Sequence, residues 1–164
     1  RDRMGKEIIT AETEVSIGLE KLWQILSNPN EFVAIGPKIV PEQIKEMQVI
    51  GGDGGVGTII LTTPWSILPG SAGASYQEKI TELDAAAHEI AFEYVEGGFM
   101  DRGFSYLKSN MKLCAKGENK TEVNVKITYE SYIDEESTHR LTKTAVSSAL
   151  NFLSSLGKYL SEAA

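Results

Sequence analysis

STHRLTKTAVSSALNFLSSLGKYLS, residues 137–161, contains a single glycine, Gly157, and no proline. Leu141, Ala145, Ala149, Phe152, Leu153, Leu156 and Leu160 recur in it at spacings of three and four. That spacing puts them on one face of a long amphipathic helix. Upstream the pattern changes to steps of two. In Thr121–Tyr129, Val123, Val125, Ile127 and Tyr129 alternate with Glu122, Asn124, Lys126 and Thr128. Such alternation marks a strand with one dry face. Further strands are expected over Phe104–Cys114, His88–Val95, Tyr76–Leu83, Thr58–Thr63 and Ile44–Ile50, joined by short glycine- and aspartate-bearing turns. Hairpin-length links imply antiparallel pairing.

The first strand is expected over Glu7–Ile17. Leu19, Leu22, Trp23 and Leu26 then predict a short helix ended by Asn28-Pro29. Glu31–Ile35 predicts a second one, stopped near Gly36-Pro37. The fold class is therefore α+β. A curved, seven-stranded antiparallel sheet grips the long C-terminal helix, with two short helices after the first strand. Ile90, Phe92, Tyr94, Leu107, Ser109, Met111, Val123, Val125, Ile127, Tyr129 and Phe152 should point inward. His88 is expected to share the Ile90 face. These side chains are apolar or aromatic, with a few hydroxyls. They suit either a packed core or a small-molecule cavity lined by apolar walls and a few polar groups.

The chain has 164 residues and a net charge of −7, which suits one domain over residues 4–164. Arg1-Asp2-Arg3 before Met4 reads as an expression scar. The acidic balance argues against nucleic acid as partner, since that affinity rests on Lys and Arg. Cys114 is the sole cysteine, so no internal disulfide forms. A reducing, cytoplasmic location is expected, and a monomer or weak dimer. Residues 54–77 are uncharged, but Gly57, Pro64, Pro69, Gly70 and Gly73 break the run. It reads as strand, loop, strand rather than a membrane span.

Gly52-Asp53-Gly54-Gly55-Val56-Gly57-Thr58 invites a phosphate-loop reading. It lacks the Gly-Lys-Ser/Thr ending, and a strand rather than a helix follows. A tight turn between strands is expected instead. His88 and His139 have no acidic residues at ligand spacing, so no metal site is expected, and no cofactor. Tyr76, Glu78 and Ile80 share one face of their strand, and Gln77, Lys79 and Thr81 the other. The apolar Ile80 turns the Tyr76/Glu78 face inward. A carboxylate there must be hydrogen-bonded to offset its burial, which makes it a ligand anchor or a general base.

Gly-Asp-Gly-Gly-Val-Gly-Thr at 52–58 and Val-Glu-Gly-Gly-Phe at 95–99, set in this order of elements, resemble the Bet v 1 family of plant pathogenesis-related class 10 proteins. The resemblance spans Lys6 to Leu160. It implies the helix-grip, START-like fold around a large cavity. Gly18-Leu19-Glu20-Lys21-Leu22-Trp23, Ser75-Tyr76-Gln77, Gly103-Phe104-Ser105-Tyr106 and Thr142-Lys143-Thr144 are similar to the phytohormone-binding, or cytokinin-specific binding, members. The likeness implies a cavity for a small, partly apolar plant metabolite such as a cytokinin or gibberellin. Its expected lining is Tyr76, Gln77, Glu78, Ile90, Phe92, Tyr94, Leu107, Ser109, Met111, Leu141, Ala145, Ala149 and Phe152. In those binders a Gln and a Glu two residues later hold the ligand's polar end. Here Gln77 and Glu78 are adjacent, so a bulge is needed to aim both inward. A Thr and a Tyr that the binders present from the long helix correspond to Ala149 and Phe152.

The chain also resembles norcoclaurine synthase, an enzyme of the same family. Its Tyr and Glu match Tyr76 and Glu78, but its Lys aligns with Ile90 and its Asp with Ser109. The resemblance thus implies a binder first. An isomerase or cyclase of specialised metabolism with Glu78 as base, aided by Tyr76, is the alternative. A broad-specificity, allergen-type defence protein is a further one.

Overall fold

The computed structural model describes residues 5–66, 68 and 72–163. Arg1-Asp2-Arg3, Met4, Pro69 and Gly70 lie outside them. The elements run β1 (Glu7–Val15), α1 (Leu19–Leu26), α2 (Pro29–Ile39), β2 (Ile44–Gly51), β3 (Ile59–Pro64), β4 (Tyr76–Asp84), β5 (Glu89–Glu96), a 3-10 turn (Gly98–Asp101), β6 (Phe104–Gly117), β7 (Lys120–Ser131) and α3 (Glu135–Glu162). The strands form one antiparallel sheet in the order β1-β7-β6-β5-β4-β3-β2. Every neighbour pair except β1 and β7 is consecutive in the chain, so a meander closed by its first strand builds the sheet. This is the curved sheet and long helix that the alternating segments and the 137–161 periodicity predict.

α3 starts at a real cap. The Asp134 carboxylate accepts from the Ser137 N–H at 2.7 Å and from the Ser137 hydroxyl at 2.8 Å. Along its length α3 rests on β1, β7 and α2. Gly157 makes the closest approach: a Cβ built there would lie 2.2 Å from Cγ1 of Val15. Leu153, Leu156 and Leu160 of α3 join Val123, Val125 and Ile127 of β7 in the core.

Three local expectations change. The second helix does not stop at Gly36-Pro37 but runs to Ile39 with Pro37 inside it. Proline removes one N–H but not the carbonyls, and Val40 N–H still bonds Gly36 O at 3.2 Å. Asn28 caps that helix, accepting from Asn30 N–H at 3.2 Å, and Pro29 opens it. So Asn28-Pro29 ends one helix and begins the next. β1 stops at Val15, before Ile17. His88 does not share the Ile90 face: it sits in the turn before β5 with φ 54°, its ring edge-on to Trp23 at 5.4 Å and its Nε2 3.0 Å from Glu20.

The glycine loop is a closed turn. Gly54 N–H donates to Thr58 Oγ1 at 2.8 Å, Gly55 N–H to Asp53 Oδ1 at 3.0 Å and Gly57 N–H to Ile80 O at 2.7 Å. These donors are used internally and none of the three is offered to an anion. Gly52 has φ 94°, and a Cβ on it would lie 2.4 Å from Thr58 Cα, so both conformation and space demand glycine there.

Candidate functional site

The sheet register decides which side chains meet. Phe92 stacks on Phe32 of α2 at 5.6 Å, and Phe32 meets Phe152 of α3 at 5.1 Å. The face of β5 that carries Phe92 is therefore the concave one, looking at the helices. Ile80 pairs with Phe92, and Phe92 with Ser109. The adjacent row places Glu78 between Ile60 of β3 and Tyr94 of β5. Tyr76 pairs with Thr62. Tyr76, Glu78 and Tyr94 thus come together on the inner wall.

Much of this wall is packed. Ile60, Ile80, Ile90 and Leu107 are at most 1% exposed, Phe92 5% and Met111 8%. Yet Tyr76, Glu78, Tyr94, Ser109, Leu141, Ala149 and Phe152 are only half-buried. Inward-pointing side chains that keep accessible surface indicate a hollow rather than a filled core between α3 and β3–β5. The Tyr76 and Tyr94 rings stack at 5.3 Å, Phe99 stands edge-on to Tyr94 at 5.3 Å, and Phe104 and Tyr129 extend the aromatic row. Gly97 and Gly98, with φ 74° and 56°, bring the 3-10 turn against this pair. A Cβ on Gly98 would lie 3.0 Å from the Tyr94 ring and 3.2 Å from Tyr76 Cβ.

Burial in this apolar wall pushes the Glu78 carboxyl up from 4.5 to about 7. Burial first, and the Glu78 charge second, push the Tyr76 hydroxyl well above its ordinary range. Nearby Thr62 and Tyr94 hydroxyls pull it part of the way back. The same two causes, with Tyr76 added, raise Tyr94. The Thr62 hydroxyl, on a residue 1% exposed, is buried without a well-formed hydrogen bond, so its contact with Tyr76 is long or bent. The Ser109 hydroxyl is buried without a partner as well. The arrangement is a near-neutral acid beside two protonated phenols, surrounded by hydrocarbon. It can accept or donate a single proton near neutral pH, or hold a donor group.

Gln77 is not brought to this group. Its Nε2 donates to Glu96 Oε2 at 2.8 Å on the exposed face. A bulge does occur beside it, because Gln77 pairs with Glu96 while Glu78 pairs with Tyr94. The extra residue is Val95 of β5, so β4 stays regular between Gln77 and Glu78 and the two side chains diverge. Ala145 and Ala149 lie along α3 near Phe152 without polar atoms. Sequence reading missed Ile60, Thr62, Phe32 and Phe99. The Ile60/Thr62 alternation was visible, but only the pairing of β3 with β4 shows that it continues the Glu78 row. Among the described residues no group of three or more His, Cys, Asp or Glu is placed to hold a metal. No helix there is long and apolar enough to cross a membrane.

The family model for the pathogenesis-related protein Bet v 1 family matches residues 4–162. The chain belongs to the Bet v 1 family. It is 30% identical to norbelladine synthase of Narcissus pseudonarcissus over 131 residues, covering 80% of this chain and 77% of that protein. It superposes on the solved structure of norcoclaurine synthase from Thalictrum flavum with a TM-score of 0.77 at 23% identity, covering 96% of this chain and 87% of that one. The same enzyme in complex with dopamine and hydroxybenzaldehyde superposes with a TM-score of 0.73 at 22% identity, with the same coverage of 96% and 87%. The helix-grip fold is thereby shown, and it is one in which a relative holds small molecules.

Proposed function

We propose that this Bet v 1 family member takes a small, partly apolar plant metabolite into the hollow and holds the ligand's polar end at Glu78. The observation that carries this reading is a carboxyl on the inner wall beside two tyrosines, its pKa raised by burial. A group kept so costly in an apolar wall is expected where function uses it. A phytohormone, with cytokinins and gibberellins as the first classes to test, suits the largely apolar and aromatic character of such a wall. Calorimetric titration with trans-zeatin should give saturable one-to-one binding. Glu78→Gln should weaken it about tenfold to a hundredfold, the cost of losing a buried charge-assisted hydrogen bond. Equal affinity in the two proteins overturns the anchor.

A second reading is favoured by the same carboxyl. A group titrating near neutral pH is matched to general acid–base work, and the relatives above are named as synthases. Glu78 would then abstract a proton in an isomerisation or cyclisation, with Tyr76 orienting the substrate. Ile90 and Ser109 supply neither an amine nor a second acid. Turnover of a bound ligand, lost in Glu78→Gln, separates this reading from pure binding. A broad-specificity defence role would instead give similar affinities for unrelated apolar ligands. We place the protein in the cytoplasm, as a monomer or weak dimer, on the same footing.

A further inference from the structure

The polar groups of the hollow are uneven in kind. Glu78 is flanked on its own strand by Tyr76 and Ile80, and across the sheet by Ile60 and Tyr94. The residues that α2, α3 and the 3-10 turn bring towards the wall include Phe32, Leu141, Ala149, Phe152 and Phe99, none of them charged. Tyr76 and Tyr94 are the titratable neighbours, and both keep their protons. Among the described residues, no lysine, arginine or histidine contributes to the state of Glu78.

We infer that the hollow selects its ligand by charge: it accepts a polar end that is neutral and bears N–H or O–H donors, and it takes a carboxylate, sulfonate or phosphate only together with a proton. This inference rests on the ligand-binding reading above. An ionised Glu78 can only accept hydrogen bonds, and a second anion beside it would meet no counter-charge. Two like charges sharing one enclosed site cannot both persist, so one must be neutralised. Binding an anion therefore converts the Glu78 carboxylate plus one proton from solvent into a carboxylic acid, whose O–H then donates to the ligand. A neutral donor needs no such proton. Of the two hormone classes, the adenine-bearing cytokinins fit the ionised site and the carboxylate-bearing gibberellins do not.

Two dyes that differ only by a sulfonate test this: N-phenyl-1-naphthylamine, uncharged, and 8-anilinonaphthalene-1-sulfonate. Each is titrated by fluorescence at pH 5.5 and 8.5 into the wild type and Glu78→Gln. The uncharged dye should bind with the same affinity at both pH values. The sulfonate dye should weaken by about thirtyfold from pH 5.5 to 8.5, the loss of the protonated fraction of a group titrating at about 7. In Glu78→Gln that dependence should vanish, while repulsion from the rest of the acidic chain remains. A sulfonate dye that binds the wild type equally at both pH values overturns the charge selection alone. The same pH dependence in Glu78→Gln overturns it too. Failure of the uncharged dye to bind overturns the binding reading beneath it.

Discussion

Glu78 concentrates the cost and the use of this site in one residue. Its carboxyl titrates at about 7 when folded against an ordinary 4.5. Folding therefore favours the protonated form. The penalty is absent below about pH 4.5, grows as pH rises to about 7, and is constant above that. The difference corresponds to roughly 3 kcal/mol lost at alkaline pH. Glu78→Gln should recover up to about that amount at pH 8 and change little near pH 4. Urea unfolding at the two pH values checks it, and a variant equally affected at both would show an exposed carboxylate. The alternation of Tyr76, Glu78 and Ile80 was enough to choose the inner face from sequence. Alternation alone places Gln77 on the opposite face; what was not legible is that the nearby bulge falls at Val95 of the neighbouring strand and so leaves Gln77 and Glu78 diverging. At the same scale, Ile90 and Ser109 on the inner face carry neither an amine nor a carboxylate. Dopamine and an aldehyde should condense no faster with the protein than in buffer, as chiral chromatography of the product would reveal.

α3 is held by contacts that a helix pattern only partly announces. Its apolar stripe was readable, as were the strands. Glycine in a helix costs about 1 kcal/mol relative to alanine, yet Gly157 stands within α3. Val15 is 4% exposed and lies where a Cβ on Gly157 would go. Gly157→Ala should therefore destabilise by about 1–3 kcal/mol instead of stabilising. Adding Val15→Ala should restore space, so the double variant loses less than the sum of the two. Thermal unfolding of the four proteins measures this. Strict additivity would mean that α3 and β1 do not touch as described. The second short helix shows the opposite case. Pro37 looked like a terminator, yet α2 runs through it, because proline removes a single donor and helical bonding resumes beyond it from Val40 N–H to the Gly36 carbonyl.

At the scale of the molecule, one sheet closed by its first strand wraps a helix that rests on β1, β7 and α2 and leaves β3–β5 facing a hollow. The order and type of elements were legible because their periods of two and of three to four are unambiguous. The hollow was not, because alternation gives the inward face but not the distance from that face to α3. The half-buried Tyr76, Glu78, Tyr94 and Phe152 carry that information, and they appear only once the chain is folded. The most direct test of Glu78 as the buried polar anchor is a carbon NMR titration of its carboxyl, free and saturated with trans-zeatin. A midpoint at about 7 is expected in the free protein, displaced when the ligand's donor group occupies the carboxylate. A midpoint near the ordinary glutamate value, unmoved by ligand, would contradict it.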